Sequence, residues 1–184
     1  MSKKKKLSKI TIFTIGHSTR TLDDFISLLK EHNVEQVIDV RTIAKSRHNP
    51  QFNQASLRRA LKNRSINYRH MKGLGGLRHA HKDSINTAWH NLSFRGYADY
   101  MQTPEFAKNL EKLIAYAHKK QVVIMCAEAV PWRCHRSLIG DALLIRSINV
   151  EDIMSKTNTK KHTLTPWAKV RGTRIIYPEN KLTT

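Results

Sequence analysis

The sequence predicts an α/β fold: a single domain with a mostly parallel sheet and helices on both faces. Three observations predict it. β-Branched, apolar runs of strand length stand at residues 10–15, 37–40 and 122–125. Apolar stripes at helical spacing separate and follow them. Strands alternating with helices bury both faces of a parallel sheet. The chain has 184 residues, 40% of them hydrophobic, and a mean hydropathy of −0.52, enough for one core.

The elements follow in order. Residues 1–9 hold five lysines and no acid and read as a flexible basic tail; residues 10–178 read as the domain and 179–184 as a C-terminal tail. After the first strand, Gly16-His17-Ser18-Thr19-Arg20 is a polar exit. Thr21 then caps a helix with Asp23 and Asp24 in its first turn and Leu22, Phe25, Ile26, Leu28 and Leu29 inward. Asn33 ends it, and 37–40 is the second strand. Residues 42–54 read as loop around Asn49-Pro50. Residues 55–64 fit a short helix with Leu57, Ala60 and Leu61 inward, and 66–70 a third strand. Gly73-Leu74-Gly75-Gly76 is a flexible loop, 77–95 has no clear periodicity, and 97–101 reads as a helical turn. Thr103-Pro104-Glu105 starts a helix that carries Phe106, Leu110, Leu113, Ile114 and Ala117. After the strand at 122–125 a polar loop leads to a helix marked by Leu138, Ile139, Ala142, Leu143 and Ile145. Further strands are expected at 150–154 and 175–177.

Charge narrows the partners. Thirty-three Lys and Arg against fourteen Asp and Glu give +19, and +14 remains without the first nine residues. A body this basic attracts polyanions, so nucleic acid or a phosphate-bearing small molecule is the expected partner class. From Val40 to Lys82 there is no acidic residue, and Phe52 and Tyr68 interleave with the cations, as in a phosphate track with stacking residues. No apolar stretch approaches the roughly 18 residues of a membrane span, and no apolar segment and cleavage site follow the basic N-terminus. No membrane partner is expected. Two cysteines are too few for a disulfide scaffold, which suits a reduced, cytoplasmic protein.

Ligands of open parallel sheets bind beyond the carboxyl ends of the strands. The first strand delivers His17, Ser18 and Arg20 there. The second delivers Asp39 and Arg41, and the third Cys126, Glu128, Arg133, Cys134, His135 and Arg136. Cys126 ends a buried strand before a loop and helix, where backbone amides and Arg133 and Arg136 would depress its pKa and make it a nucleophile or redox thiol; the plain alternative is a small core residue. Cys134 could resolve it if the loop folds back. Glu128 suits proton transfer or an ion pair with a nearby arginine. Asp39 needs a partner, and Arg41 lies on the same strand face. The Gly75-Gly76 loop would let a backbone approach a phosphate, although it matches neither nucleotide-binding fingerprint. Cys126, Cys134 and His135 lack the short C-x-x-C knuckle, so no metal is expected, and no cofactor.

Ile15-Gly16-His17-Ser18, Ile38-Asp39-Val40-Arg41, Leu74-Gly75-Gly76, Cys126-Ala127-Glu128, Cys134-His135-Arg136 and Tyr177-Pro178, in that order, resemble the domain-of-unknown-function 488 family (DUF488) over residues 10–178. The resemblance implies one shared site of His17, Asp39, Arg41, Cys126, Glu128, Cys134, His135 and Arg136, and no established reaction. A weaker likeness joins Val37 to Arg41 and the strand-end Cys126 to rhodanese-type sulfurtransferases, from which this chain departs by a longer loop running into a second cysteine. The cysteine-phosphatase loop fails too, because six residues, not five, separate Cys126 from Arg133. The reading is an enzyme acting on a phosphate-bearing substrate. Cys126 is its nucleophile or sulfur carrier, and Glu128 or His17 handles protons. Arg41, Arg133 and Arg136 hold anionic oxygens, and Asp39 orients Arg41 or His17. Ser18, Arg20, Cys134, His135, Gly75 and Gly76 complete the binding set. Its rivals are a non-catalytic nucleic-acid-binding accessory protein and a protein of sulfurtransferase-like thiol chemistry.

Overall fold

The most apolar strand of the sequence takes the centre of the sheet. In a computed structural model, which describes residues 10–179, Val122, Val123, Ile124 and Met125 are all fully buried in strand β4 (Val122–Cys126). β1 (Thr11–Gly16) lies on one side of β4 and β2 (Gln36–Asp39) on the other. β3 (Asn67–His70) flanks β2, and β5 (Asn149–Ile153) and then β6 (Thr159–Lys161) flank β1, giving the order β3-β2-β4-β1-β5-β6. All pairings are parallel except β5 with β6. The basic tail expected over 1–9, and all but Glu179 of the C-terminal tail, lie outside the described residues.

Alternate side chains of these strands feed two cores. Val37, Val123, Met125 and Ile15 pack with Phe25, Leu28 and Leu29 of α1 (Leu22–Glu31) and Leu57 and Leu61 of α2 (Gln54–Lys62). Ile12, Ile38, Val122, Ile124 and Val150 pack on the other face. Their partners there are α3 (Leu92–Tyr100), α4 (Pro104–Ala117) and α5 (Arg136–Leu144). Thr21 and Thr103 cap α1 and α4 as expected, each accepting a backbone N–H of the first turn. Among the described residues, no helix is long and apolar enough to cross a membrane.

Four expectations change. The helical turn at 97–101 is the end of α3, which starts at Leu92 behind an Asn91 cap. Residues 42–54 contain a 3-10 turn at Pro50–Phe52, and the glycine loop contains another at Lys72–Leu74. β6 had no apolar signature. The late strand, β8 (Arg174–Ile176), pairs only with the exposed β7 (Lys169–Arg171), outside the main sheet.

Register brings the strand ends level. Gly16 pairs with Cys126, and Asp39 with Met125. His17 N–H and Ser18 N–H continue the ladder to the carbonyls of Cys126 and Ala127, both at 2.9 Å. The chains approach so closely that a Cβ on Gly16 would lie 1.9 Å from the Glu128 carbonyl oxygen. Gly16→Ala therefore forces the 126–130 segment off the end of β1. It is expected to cost about 1–3 kcal/mol, the range of overpacking, read by urea unfolding.

Candidate functional site

The β2 end is built around one buried carboxylate. Asp39 is fully buried, and Arg41 clamps it with Nε donating to Oδ1 at 2.9 Å and Nη2 to Oδ2 at 2.6 Å. Arg41 N–H donates to the same Oδ1 at 3.1 Å, and the Tyr68 hydroxyl donates to Oδ2 at 2.6 Å. Every strong acceptor direction of the carboxylate is used, so its charge is compensated where it is made. Burial and the Asp39 charge push the Tyr68 hydroxyl far above its ordinary pKa and keep it a donor.

Arg41 reaches onward. Its Nη2 also donates to the Phe52 carbonyl at 2.8 Å, and its Nη1 lies 3.3 Å from His17 Nε2. His17 Nδ1 donates to the Ser18 carbonyl at 2.8 Å, which leaves Nε2 as the acceptor for Arg41. The ring stacks on Phe52, 4.2 Å between centroids. Burial lowers the His17 pKa below its ordinary value and favours the neutral ring. Ser18 sits at φ 50°, and Arg20 turns back to donate to the Gly16 carbonyl. Asp39, His17 and Arg20 thus stand behind the site and hold its wall. Phe52 and Tyr68, expected as stacking residues, face inward for the same reason: one packs under His17 and the other completes the Asp39 shell.

The second half of the site is the fold-back the sequence left open. Pro131–Arg133 forms a 3-10 turn that returns the chain to β4, and Cys126 Sγ, Cys134 Sγ and His135 Nδ1 lie within 4.8 Å of one another. Arg136, the first residue of α5, is only 1% exposed, and no carboxylate pairs with it among the described residues. Its Nε donates to Cys134 Sγ at 3.3 Å, its Nη1 to Thr14 Oγ1 at 3.4 Å and its Nη2 to the Glu128 carbonyl. Thr14 passes its own hydrogen to Asp152, its register partner on β5. A guanidinium keeps its charge even when buried. The sulfur that it touches directly is that of Cys134.

The two thiols therefore separate in acidity, in the sense opposite to the expectation. The adjacent Cys126 thiol first, with His135 and Arg136 alongside, holds the Cys134 thiol well below its ordinary pKa despite burial. The adjacent Cys134, together with burial, pushes Cys126 well above. The arginine expected to serve Cys126 points its Nε at Cys134 instead. His135 Nε2 donates to the Val40 carbonyl at 3.0 Å, and its Nδ1 faces Cys134 Sγ, 3.7 Å away.

Above these groups opens a cavity of about 360 Å³. Its floor is Cys126, Cys134 and His135, with Arg41 to one side. Lys45 and Arg133 are exposed at its rim and have no carboxylate partner among the described residues. Ile43, Leu77 and Phe94 give it an apolar wall, which sequence reasoning missed; two large apolar residues amid loop cations were the available signal. Glu128 lines the cavity but is exposed. Its carboxylate accepts the Val130 N–H at 3.0 Å, and the expected ion pair with Arg133 or Arg136 is absent among the described residues, because the loop turns the side chain outward and gives Arg136 the backbone carbonyl. Gly75 and Gly76 make room for side chains: a Cβ would lie 2.4 Å from Thr42 Oγ1 at Gly75 and 2.5 Å from His135 Nδ1 at Gly76. Two sulfurs and an imidazole nitrogen at this spacing form a ligand set of the kind that holds zinc.

No match was found among curated proteins or among solved structures. The comparisons do not show the rhodanese likeness. A family model described as domain of unknown function DUF488 matches residues 21–143. That span is narrower than 10–178; it includes Asp39, Arg41, both cysteines and His135-Arg136, and begins after His17, Ser18 and Arg20. Since it covers more than half of the chain, with the clamp and the cysteine pocket inside it, the chain belongs to the DUF488 family.

Proposed function

We propose that the protein is a cysteine-dependent enzyme acting on a phosphate-bearing substrate, with Cys134 as the nucleophile. The observation that carries this reading is the buried Arg136 guanidinium, which has no carboxylate partner among the described residues and donates to the Cys134 sulfur. The thiolate bonds to the electrophilic phosphorus, and the bond to the leaving oxygen breaks with its electron pair. His135 Nδ1, having taken the thiol proton, returns it to that oxygen. Lys45 and Arg133 receive the phosphate charge at the rim, and the Cys126 thiol, freed from Cys134 as the sulfur is consumed, is a hydrogen-bond donor beside the reacting centre. Water then releases the phosphate from sulfur.

The test is release of nitrophenolate from a chromogenic nucleotide ester, thymidine 5′-(p-nitrophenyl phosphate). Cys134→Ser is expected to lower turnover by on the order of a thousandfold or more, the scale of losing a nucleophile, with folding retained. Unchanged turnover in that variant overturns the reading. The adjacent sulfur of Cys126 favours a second reading, sulfur transfer, in which Cys134 takes the outer sulfur of thiosulfate and sulfite leaves. Thiocyanate formed from thiosulfate and cyanide, without ester hydrolysis, selects it.

A further inference from the structure

We propose that the cleft beside the cysteine pocket, walled by all three tryptophans of the chain, is a base-stacking subsite for single-stranded nucleic acid. The proposal deepens the phosphate-substrate reading and rests on it for the polarity of the substrate. Trp89, Trp132 and Trp167 come from three distant segments: the stretch before α3, the turn between Cys126 and Cys134, and the loop after β6. They meet around one cavity of about 320 Å³, the size of a small-ligand site. Trp89 packs against the core, but no core demand explains the other two, since Trp132 is 58% exposed and Trp167 38%. Indole faces left in water beside a cavity are binding surface.

The cleft joins the cysteine pocket through two links. Trp89 stacks on Phe94, 4.8 Å between centroids, and Phe94 lines the cysteine pocket. Trp132 is followed directly by Arg133, on the rim of that pocket. Trp167 packs edge-on to Trp89 at 5.3 Å, so these two rings form one surface, with Trp132 on the lining of the same cavity. Trp89 Nε1 is buried and makes no hydrogen bond among the described residues, leaving a donor in this wall unpaired.

Charge selects the occupant. Lys160 and Lys161 border the cleft, and Lys160 Nζ lies over the Trp132 ring at 4.7 Å. The acid of the lining, Asp152, is buried and engaged by Thr14, and His162 is held by Asp141. Lysines alone would serve any polyanion. Exposed indole faces between them serve a chain that carries flat rings at intervals along its phosphates, which is a single nucleic-acid strand.

Tryptophan fluorescence of the full chain is to be titrated with a 15-nucleotide oligo(dT), an abasic strand of equal length and charge, and polyglutamate. Oligo(dT) is expected to quench the signal and bind at least about tenfold tighter than either control. Trp132→Ala, on an exposed turn, is expected to weaken oligo(dT) binding by about tenfold and to leave abasic-strand binding unchanged. Trp167→Ala repeats the test from a second segment. Equal affinity for oligo(dT) and abasic strand, tighter binding of polyglutamate, or no binding of oligo(dT) overturns the proposal. The catalytic reading fails separately: Cys134→Ser is expected to bind oligo(dT) like the wild type, whatever its effect on ester hydrolysis.

Discussion

Asp39→Asn is expected to destabilise the protein by about 3–5 kcal/mol, the cost of breaking a buried ion pair from one side. The reason is local. Asp39 is fully buried and takes three hydrogen bonds from Arg41 and one from Tyr68. The amide removes the negative charge and turns one acceptor into a donor facing Arg41. The guanidinium, 5% exposed, then has no counter-charge among the described residues. Tyr68→Phe is the graded control: it deletes one donor and leaves the ion pair, so it is expected to cost about 1.5–3 kcal/mol. Urea unfolding at neutral pH measures both. A loss below about 1 kcal/mol for Asp39→Asn would show that Arg41 does not depend on this carboxylate.

The second large effect is chemical. Arg136→Met keeps a long unbranched chain in the same space and removes the charge beside Cys134. The thiol then returns toward its ordinary range near 8.5, and its alkylation at neutral pH is expected to slow by about tenfold or more. Arg136→Lys is expected to recover part of the rate, because the charge returns without the three-pronged geometry. Unchanged Cys134 reactivity in the methionine variant would remove Arg136 as its counter-ion.

Much of the frame was legible because its signals are local. Thr21 and Thr103-Pro104 announce helix starts by hydrogen bonds within one turn, and 122–125 is apolar on both faces because both are covered. The Asp39–Arg41 pair was legible from strand alternation, which puts residues two apart on one face. Helix α3 was not. Gly96 and Arg95 blur its stripe, and its placement rests on distant partners: Tyr97 Oη donates to the Leu74 carbonyl, and Asp99 accepts from Ser84, Asn86 and the His81 N–H. Those donors hold the Asp99 carboxyl below its ordinary pKa despite its burial.

At the site, the residues were legible and their roles were not. Cys126, Cys134, His135 and Arg136 do come together. Which cysteine is the more acidic depends on how the two thiols, His135 and the Arg136 guanidinium meet, and the guanidinium is aimed by Thr14 and the Glu128 carbonyl, residues far apart in the chain. The acid-free run 40–82 predicts stacking residues at Phe52 and Tyr68, and both face inward. The exposed indoles lie outside that run and meet only through the folded topology.

The central claim is that Cys134 is a thiolate in the native protein, and one measurement tests it most directly: site-resolved alkylation by iodoacetamide against pH, read by mass spectrometry. Alkylation follows the thiolate fraction, so a lowered pKa moves the profile to lower pH and a raised one to higher pH. Cys134 is expected to react at and below neutral pH, with a midpoint below the ordinary 8.5 or so of a free thiol, while Cys126 stays unlabelled into the alkaline range. Labelling of Cys126 first, or of neither cysteine until the protein unfolds, would contradict the account.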